Sequence, residues 1–259
     1  MTFKHITSRD NNLFKQLKKL ADSSRERRKL GETLLDGVHL LEGYLQHFGE
    51  PSLLVIPEGD SSPEATGLLQ TLADVPTVMF PTLMFSELTP VASPTGILAL
   101  VKVPPLMPPE TVDLALLLED IQDPGNLGSM LRTAAAAGVD AVYLSTGCTD
   151  AWSPKALRGG QGAHFVLPVV ERVDLLTWMQ GFHGQTLATA MQGESLYAQD
   201  LRSPTAFIIG NEGIGLSQPL MAAASRRINI PIGAGVESLN AAAASAICLF
   251  ESVRQRKAA

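Results

Sequence analysis

The chain has 259 residues, 45% hydrophobic and 18% charged, with a formal net charge of −6, which is ordinary for a soluble globular protein of one large domain or two smaller ones. No apolar run reaches about 18 residues and the opening MTFKHITSRD lacks an apolar h-region, which argues against a transmembrane span and a signal peptide. Cys148 and Cys248 lie far apart, make no metal site, and predict a reducing compartment, the cytoplasm.

The charge is segregated along the chain. Residues 1–30 hold nine basic residues (Lys4, Arg9, Lys15, Lys18, Lys19, Arg25, Arg27, Arg28, Lys29) against Asp10, Asp22 and Glu26, and the remainder is strongly acidic. Clustered cations suit a polyanion, because phosphate neutralisation needs local charge rather than a positive total; the alternative is a solvated helix face. Leu13, Leu17 and Leu20 predict a helix over 8–20, capped by Ser8 or Asp10. A second helix follows over 37–47, then buried strands at 53–56 and 77–80 around a helix at 65–73, and another strand at 96–101. These make a small α/β unit. Four prolines within Pro104–Pro109 fit neither a helix interior nor a central strand, so they mark a domain boundary.

Beyond that boundary strands alternate with helices. Strands are expected at 113–118, 141–144, 165–168, 186–189, 206–209 and 228–230; helices are expected at 126–137, 153–158, 175–181, 220–224 and 239–255. Short apolar runs between helices predict a parallel sheet covered on both faces, with ligands at the carboxyl ends of its strands. Three loops follow such strands. In the first, Asp123-Pro124-Gly125 turns into a helix that Asn126 could cap, and Arg132 lies six residues on, as either a surface residue or a functional cation. The second, Gly210-Asn211-Glu212-Gly213-Ile214-Gly215-Leu216-Ser217, departs from GxGxxG and puts a carboxylate where a phosphate loop would want none. The third runs from Ile230 to Asn240, where Ser238 and Asn240 could be a plain N-cap pair.

Taken in order, N-x-G-x-x-x-R, G-N-E-G-x-G-L-S and I-P-x-G-x-x-x-S-L-N-x-x-x-A resemble the three motifs of the SpoU (TrmH-type) RNA 2′-O-ribose methyltransferases of the SPOUT superfamily, over residues 115–256. The look is that of the 23S rRNA guanosine 2′-O-methyltransferase type. Arg158-Gly159-Gly160-Gln161-Gly162-Ala163 is similar to the family's R-x-S-x-G-A, with glycine at 160 for serine. Pro94-Thr95-Gly96-Ile97-Leu98-Ala99 resembles the end of its L30e-like substrate domain, with Thr95 for a common glutamine.

The resemblance implies an α/β fold: a small L30e-like RNA-binding domain over 1–103, a Pro-rich linker over 104–112, and a parallel-sheet SPOUT domain over 113–259 with a C-terminal trefoil knot. It implies a homodimer with the active site near its interface. It implies S-adenosylmethionine as cofactor, held by Thr189, Gly210, Asn211, Gly213, Ile230, Ser238 and Leu239. Arg132 is the implied catalytic residue, with Asn126, Glu212, Ser238 and Asn240 in a hydrogen-bond network around it. RNA, more rRNA than tRNA, would meet Arg9, Lys15, Lys18, Lys19, Arg25, Arg27, Arg28 and Lys29. Two rivals stay open, a dinucleotide-dependent enzyme using Gly210–Gly215 and a non-catalytic RNA-binding protein that retains the fold. A tRNA 2′-O-methyltransferase is a variant of the first reading. His5, His39, His47, His164 and His183 lack metal-ligand spacing and read as structural or surface residues. Trp152 reads as packing rather than as a platform for a base.

Overall fold

The computed structural model describes residues 3–59, 61–89 and 96–257; Pro94 and Thr95 lie outside them. The chain divides into two compact units, Met1–Pro105 with Trp152–Phe165, and Leu106–Ala151 with Val166–Ala259. The expected second domain runs unbroken from 113 to 259, whereas the segment Trp152–Phe165 groups with the first unit.

The elements in chain order are β1 (Lys4–His5), α1 (Asn12–Asp22), α2 (Ser24–Leu30), β2 (Glu32–Asp36), α3 (Val38–Phe48), β3 (Leu53–Pro57), α4 (Pro63–Thr71), β4 (Thr77–Phe80), α5 (Thr82–Ser86) and β5 (Leu98–Lys102). There follow β6 (Leu114–Leu118), α6 (Pro124–Ala137), β7 (Ala141–Leu144), α7 (Pro154–Gly160), β8 (Val169–Val170), α8 (Leu175–Gly181), β9 (Gln185–Ser195), β10 (Thr205–Ile209), α9 (Gln218–Ala223), β11 (Arg226–Asn229) and α10 (Ala241–Lys257).

In the first unit the described strands form a mixed sheet in the order β1-β4-β3-β5-β2, with β5 antiparallel to β2 and β3. Phe14, Leu17 and Leu20 of α1 bury against Phe80, Met84 and Phe85, as the helical spacing predicts. The cap of α1 is Asn11, whose side chain accepts the Leu13 N–H, and neither Ser8 nor Asp10. Helix α2 has no apolar stripe to announce it. Its signals are local: Ser23 accepts the Glu26 N–H in a Ser-x-x-Glu frame, and Gly31 closes the helix. The expected strand at 165–168 is absent. Ala163–Phe165 is a 3₁₀ turn whose Phe165 ring meets Tyr44 edge-on at 5.7 Å, so its apolar character serves the first core. Pro168 has no N–H for a ladder, and only its carbonyl takes part, accepting from Val142.

In the second unit six described strands form a fully parallel sheet in the order β11-β9-β10-β6-β7-β8. All residues of β6, LALLL, and of β10, TAFII, are buried, as strands covered on both faces require. Ala115, Leu117, Tyr143, Ala206 and Ile208 bury against Leu175 and Met179 of α8 and Leu220 of α9, and α10 packs on α6 and β10. Among the described residues no helix is long and apolar enough to cross a membrane.

Helix α10 is also tied to the β9–β10 connection by its polar side chains. Gln255 donates to the Gln199 carbonyl and accepts from the Leu201 N–H, and Arg256 donates to the carbonyls of Leu201, Ser203 and Asp113. On the same helix Arg254 grips Glu251 through two bonds of 2.7 Å, holding that carboxyl down at about 2, well below its ordinary 4.5. A carboxyl depressed in the fold contributes stability above the unfolded value, and that contribution is lost as pH falls from about 4.5 toward 2. Glu251→Gln should therefore lower the thermal midpoint at pH 7 by an amount worth at most about 1 kcal/mol. The difference from wild type should close as the melts are repeated toward pH 2.

Candidate functional site

Because β6, β10 and β11 run parallel, the loops that leave their carboxyl ends open on one edge of the sheet. The loop after β10 doubles back on itself. Asn211 and Gly215 pair in an isolated bridge, and Asn211 Oδ1 accepts the N–H groups of Gly213 at 2.8 Å and Ile214 at 3.1 Å. Gly210 is needed for that reversal, since a Cβ there would stand 2.4 Å from the backbone of Gly215 and Leu216. Gly215 has φ +72°. Gly213 answers to neither demand, and a Cβ there would find its nearest atom at 3.5 Å.

The first loop differs from expectation at its cap. Asp123, not Asn126, caps α6, accepting the Asn126 N–H at 2.8 Å. Asn126 is thereby left with its side chain uncommitted to the helix end. Its Nδ2 donates to Glu212 Oε1 at 3.2 Å, and its Oδ1 accepts from Asn240 Nδ2 at 3.1 Å. Asn240 in turn caps α10 through Oδ1, which accepts the N–H groups of Ala242 at 2.9 Å and Ala243 at 3.3 Å. The direction of the chain follows from that cap: an amide whose oxygen faces the helix end must turn its NH₂ outward. Asn126 then meets it with oxygen and presents its own NH₂ to the Glu212 carboxylate, whose other oxygen accepts the Gln122 N–H at 3.3 Å. One polar chain joins the loops after β6, β10 and β11.

Beside it lies a cleft of about 580 Å³, within the range of small-molecule sites. Thr189, Gly210, Asn211, Gly213, Ile230, Ser238 and Leu239 all line it, as does Glu212. Thr189 is held by its hydroxyl, which donates to the Ile208 carbonyl at 3.0 Å. Met191, Ile214, Ile232 and Glu237 also line it, and no pattern in the sequence points to them. The first three are apolar yet 64%, 86% and 38% exposed, a signal that only coordinates supply. The lining includes two carboxylates, Glu212 and Glu237, and no Lys, Arg or His. A phosphate-bearing ligand would find no cation there, and a cationic one would be favoured.

Arg132 is not part of this arrangement within one chain. It is exposed on α6, about 120° round the helix and about 9 Å along it from Asn126, and has no side-chain partner among the described residues. Ser238 is exposed at the cleft and likewise joins no hydrogen bond among the described residues. Burial pushes the Cys148 thiol up and that of Cys248 up to about 12, so neither is a thiolate nucleophile at neutral pH. Among the described residues no three His, Cys, Asp or Glu side chains cluster as a metal site would need.

The basic residues expected to meet RNA fall into three kinds. Arg27 is buried, 4% exposed, with its guanidinium donating to the carbonyls of Leu20 and Ala21 between α1 and α2, which removes it from any nucleic-acid surface. Arg9, Lys15 and Lys18 are paired with Glu87, Asp10 and Asp22, and Arg28 donates to Ser24. Lys19, Arg25 and Lys29 have no side-chain partner among the described residues. Trp152 is 9% exposed and packs edge-on against buried His164 at 5.2 Å, so it offers no stacking platform.

The sequence profile of the SpoU rRNA Methylase family matches residues 113–250. The chain is 35% identical over 254 residues to the 23S rRNA (guanosine(2553)-2'-O)-methyltransferase RlmP of Bacillus subtilis, covering 95% of this chain and 98% of that one. It is 29% identical over 269 residues to the 23S rRNA (uridine(2479)-2'-O)-methyltransferase of Streptomyces viridochromogenes, covering 98% and 93%. The crystal structure of the SpoU methyltransferase AviRb from that organism, in complex with the cofactor AdoMet, superposes with a TM-score of 0.86 at 27% identity, covering 95% of this chain and 98% of that one.

The two glycines of the β10 loop separate the demands made on it. Gly210→Ala should destabilise the fold by about 1–3 kcal/mol, read as a thermal midpoint lower by several degrees, because backbone must move to admit the methyl group. Gly213→Ala, with open space for its Cβ, should melt within a degree or two of wild type, roughly the spread of neutral surface substitutions.

Proposed function

The chain belongs to the SpoU rRNA methylase family, and from that premise we propose that it transfers a methyl group from S-adenosylmethionine to a ribose 2′-oxygen of RNA, with rRNA as substrate. The observation that carries this reading is the cleft behind the Asn240–Asn126–Glu212 chain. It has the volume for a nucleoside-sized ligand, glycine-dependent backbone at Gly210, and a lining with carboxylates and no cation. Those residues fit a sulfonium donor and do not fit a dinucleotide, whose pyrophosphate needs N–H groups and positive charge. Thr189, Gly210, Asn211, Gly213, Ile230, Ser238 and Leu239 would hold the donor, which supplies an electrophilic methyl group when bound.

The chain's own residues must then position a poor nucleophile and manage its proton. A guanidinium gives up its proton only at great cost, so a general-base role for an arginine is physically expensive. Arg132 instead aligns the 2′-hydroxyl or the adjacent phosphate and stabilises the oxyanion that develops, which a planar fork of donors does well. Asn126, Glu212 and Asn240 hold the acceptor side of the site in one orientation, and the Ser238 hydroxyl, uncommitted at the cleft, is available to substrate.

The reading brings a homodimer with the active site near its interface, because Arg132 faces outward on α6, apart from the polar chain. Phe250 lies exposed on α10, the helix packed on α6, which suits a covered face on that pair of helices. It also brings a C-terminal trefoil knot, supported by the crossed strand order and by the loops after β10 and β11 lining one cleft. Residues 1–103, completed by Trp152–Phe165 in the same unit, would be the RNA-binding domain, joined by residues 104–112 to a SPOUT domain made from the rest of 113–259. The RNA footprint centres on Lys19, Arg25 and Lys29, with Arg9, Lys15, Lys18 and Arg28 able to exchange their present partners for phosphate. Two free cysteines suit the cytoplasm. The relatives act on different nucleosides, guanosine and uridine, and 2′-O-methyl mapping of rRNA with and without this protein identifies the one it modifies.

Radiolabelled methyl transfer tests the reading directly. Label should enter deproteinised 23S rRNA in preference to tRNA, and incorporation into tRNA alone, or into neither, would overturn the substrate or the activity. Arg132→Ala should lower kcat by about 10²-fold or more while donor affinity stays near wild type, and Arg132→Lys should not restore it. Reversing Arg25 and Lys29 to glutamate should weaken RNA binding and flatten its salt dependence by about one unit of slope for each phosphate no longer neutralised.

A further inference from the structure

We propose that Asp120 is a positioning residue for donor binding: its left-handed backbone turn, pinned by the Ser145 hydroxyl, aims the carbonyl that holds Asn211 and, through it, the wall of the cleft. This rests on the reading that the cleft takes S-adenosylmethionine. Asp120 has φ +53°, a conformation that L-residues other than Asn and Asp adopt with difficulty. A plain strand-to-helix connection does not call for it, and the stretch between Leu118 and Pro124 contains no glycine to supply it.

The turn is pinned from the loop after β7. Ser145 Oγ accepts the Asp120 N–H at 2.9 Å and donates to Asp120 Oδ1 at 2.6 Å. That loop comes so close only because residue 147 is glycine, where a Cβ would stand 2.1 Å from the same carboxylate oxygen. What the turn delivers is the direction of one carbonyl. Asp120 O accepts from Asn211 Nδ2 at 2.8 Å and from Gln122 Nε2 at 3.0 Å. With its NH₂ thus engaged, Asn211 turns Oδ1 toward the N–H groups of Gly213 and Ile214, all three residues lining the cleft. Gln122, oriented by the same carbonyl and by the Gly147 carbonyl at 2.8 Å, supplies the N–H that Glu212 accepts. Turning the peptide after residue 120 over would cost Asn211 its acceptor and release the β10 loop from the sheet edge.

The test uses the full chain with Asp120→Ala, Asp120→Asn, Asp120→Gly and Ser145→Ala, titrated calorimetrically with S-adenosylmethionine. Alanine both disfavours the left-handed turn and loses the carboxylate, and should weaken binding about tenfold. Asparagine keeps the turn and an oxygen for Ser145, and glycine keeps the turn alone; both should stay within about threefold of wild type. Ser145→Ala should fall between. A second readout needs no ligand: amide hydrogen exchange at Gly213 and Ile214 should quicken in Asp120→Ala and Ser145→Ala and stay slow in Asp120→Asn. Wild-type affinity and unchanged exchange in Asp120→Ala would overturn the proposal. So would Asp120→Gly weakening as much as alanine, which would assign the effect to the carboxylate instead of the turn. Should Asp120→Ala melt below the assay temperature, Ser145→Ala against Asp120→Asn decides the same question. If wild-type protein binds no S-adenosylmethionine, the functional reading fails, while the exchange data still judge whether Asp120 governs the loop.

Discussion

The side-chain amide of Asn240 does two things with opposite ends, and the geometry of the site depends on that division. Its oxygen is committed to the first turn of α10, satisfying N–H groups that the helix cannot satisfy itself. Its nitrogen therefore has to face the other way, toward Asn126. An amide cannot be turned over without cost here, because the reversed orientation would set NH₂ against N–H at the helix end. The polarity of a helix terminus is thus carried through two side chains to the Glu212 carboxylate, without any strong ion pair. Each bond is of ordinary length and each contributes modestly, on the order of 1 kcal/mol. Their value is in orientation, because only one arrangement of donors and acceptors satisfies all of them.

That arrangement explains why the β10 loop departs from a phosphate-binding pattern. In a phosphate loop the glycines let successive N–H groups converge on an anion. Here the N–H groups of Gly213 and Ile214 are already taken by Asn211, and a carboxylate stands where an anion would bind. Gly210 and Gly215 let the chain reverse within a few residues instead of exposing donors. The loop is built to present an acceptor, and the donors it might have offered are used to hold its own shape.

Much of this is legible in the sequence. Buried parallel strands such as LALLL and TAFII announce themselves as apolar runs, and the three loops follow from where those runs end. The glycines, Glu212 and the Ser238–Asn240 stretch are visible as departures from simpler patterns. Less legible is anything decided by competition between neighbours. Asp123 and Asn126 are both good caps, and only the fold shows that the aspartate takes the helix end and frees the asparagine. Arg27 looks like its neighbours Arg25 and Arg28, yet one turn of helix geometry puts it inside, where backbone carbonyls of the preceding helix receive it. Phe165 reads as strand because it is apolar and near other apolar residues. Its partner is Tyr44, more than a hundred residues earlier, and no local pattern encodes that. The left-handed turn at Asp120 has a faint signal in the residue type itself, since aspartate tolerates it.

The pairing of Phe165 with α3 bears on how the polypeptide acquires its structure. The first compact unit is assembled from two separate stretches, and the chain crosses between units at 105/106, at 151/152 and again at 165/166. A ribosome delivering this protein from its amino terminus makes the residues of the five-stranded sheet long before it makes Trp152–Phe165. During that interval Tyr44 and Gly43 lack the ring that will cover them, and the Thr33 hydroxyl lacks the Trp152 carbonyl to which it donates at 2.7 Å. The amino-terminal unit is therefore not a self-sufficient cassette: a protein ended at the proline stretch would carry an uncovered aromatic face and an unmet buried hydroxyl. Closing that gap joins residues far apart in sequence, the kind of loop closure that slows folding. Evolutionary exchange of one unit for another by a single crossover is restricted for the same reason.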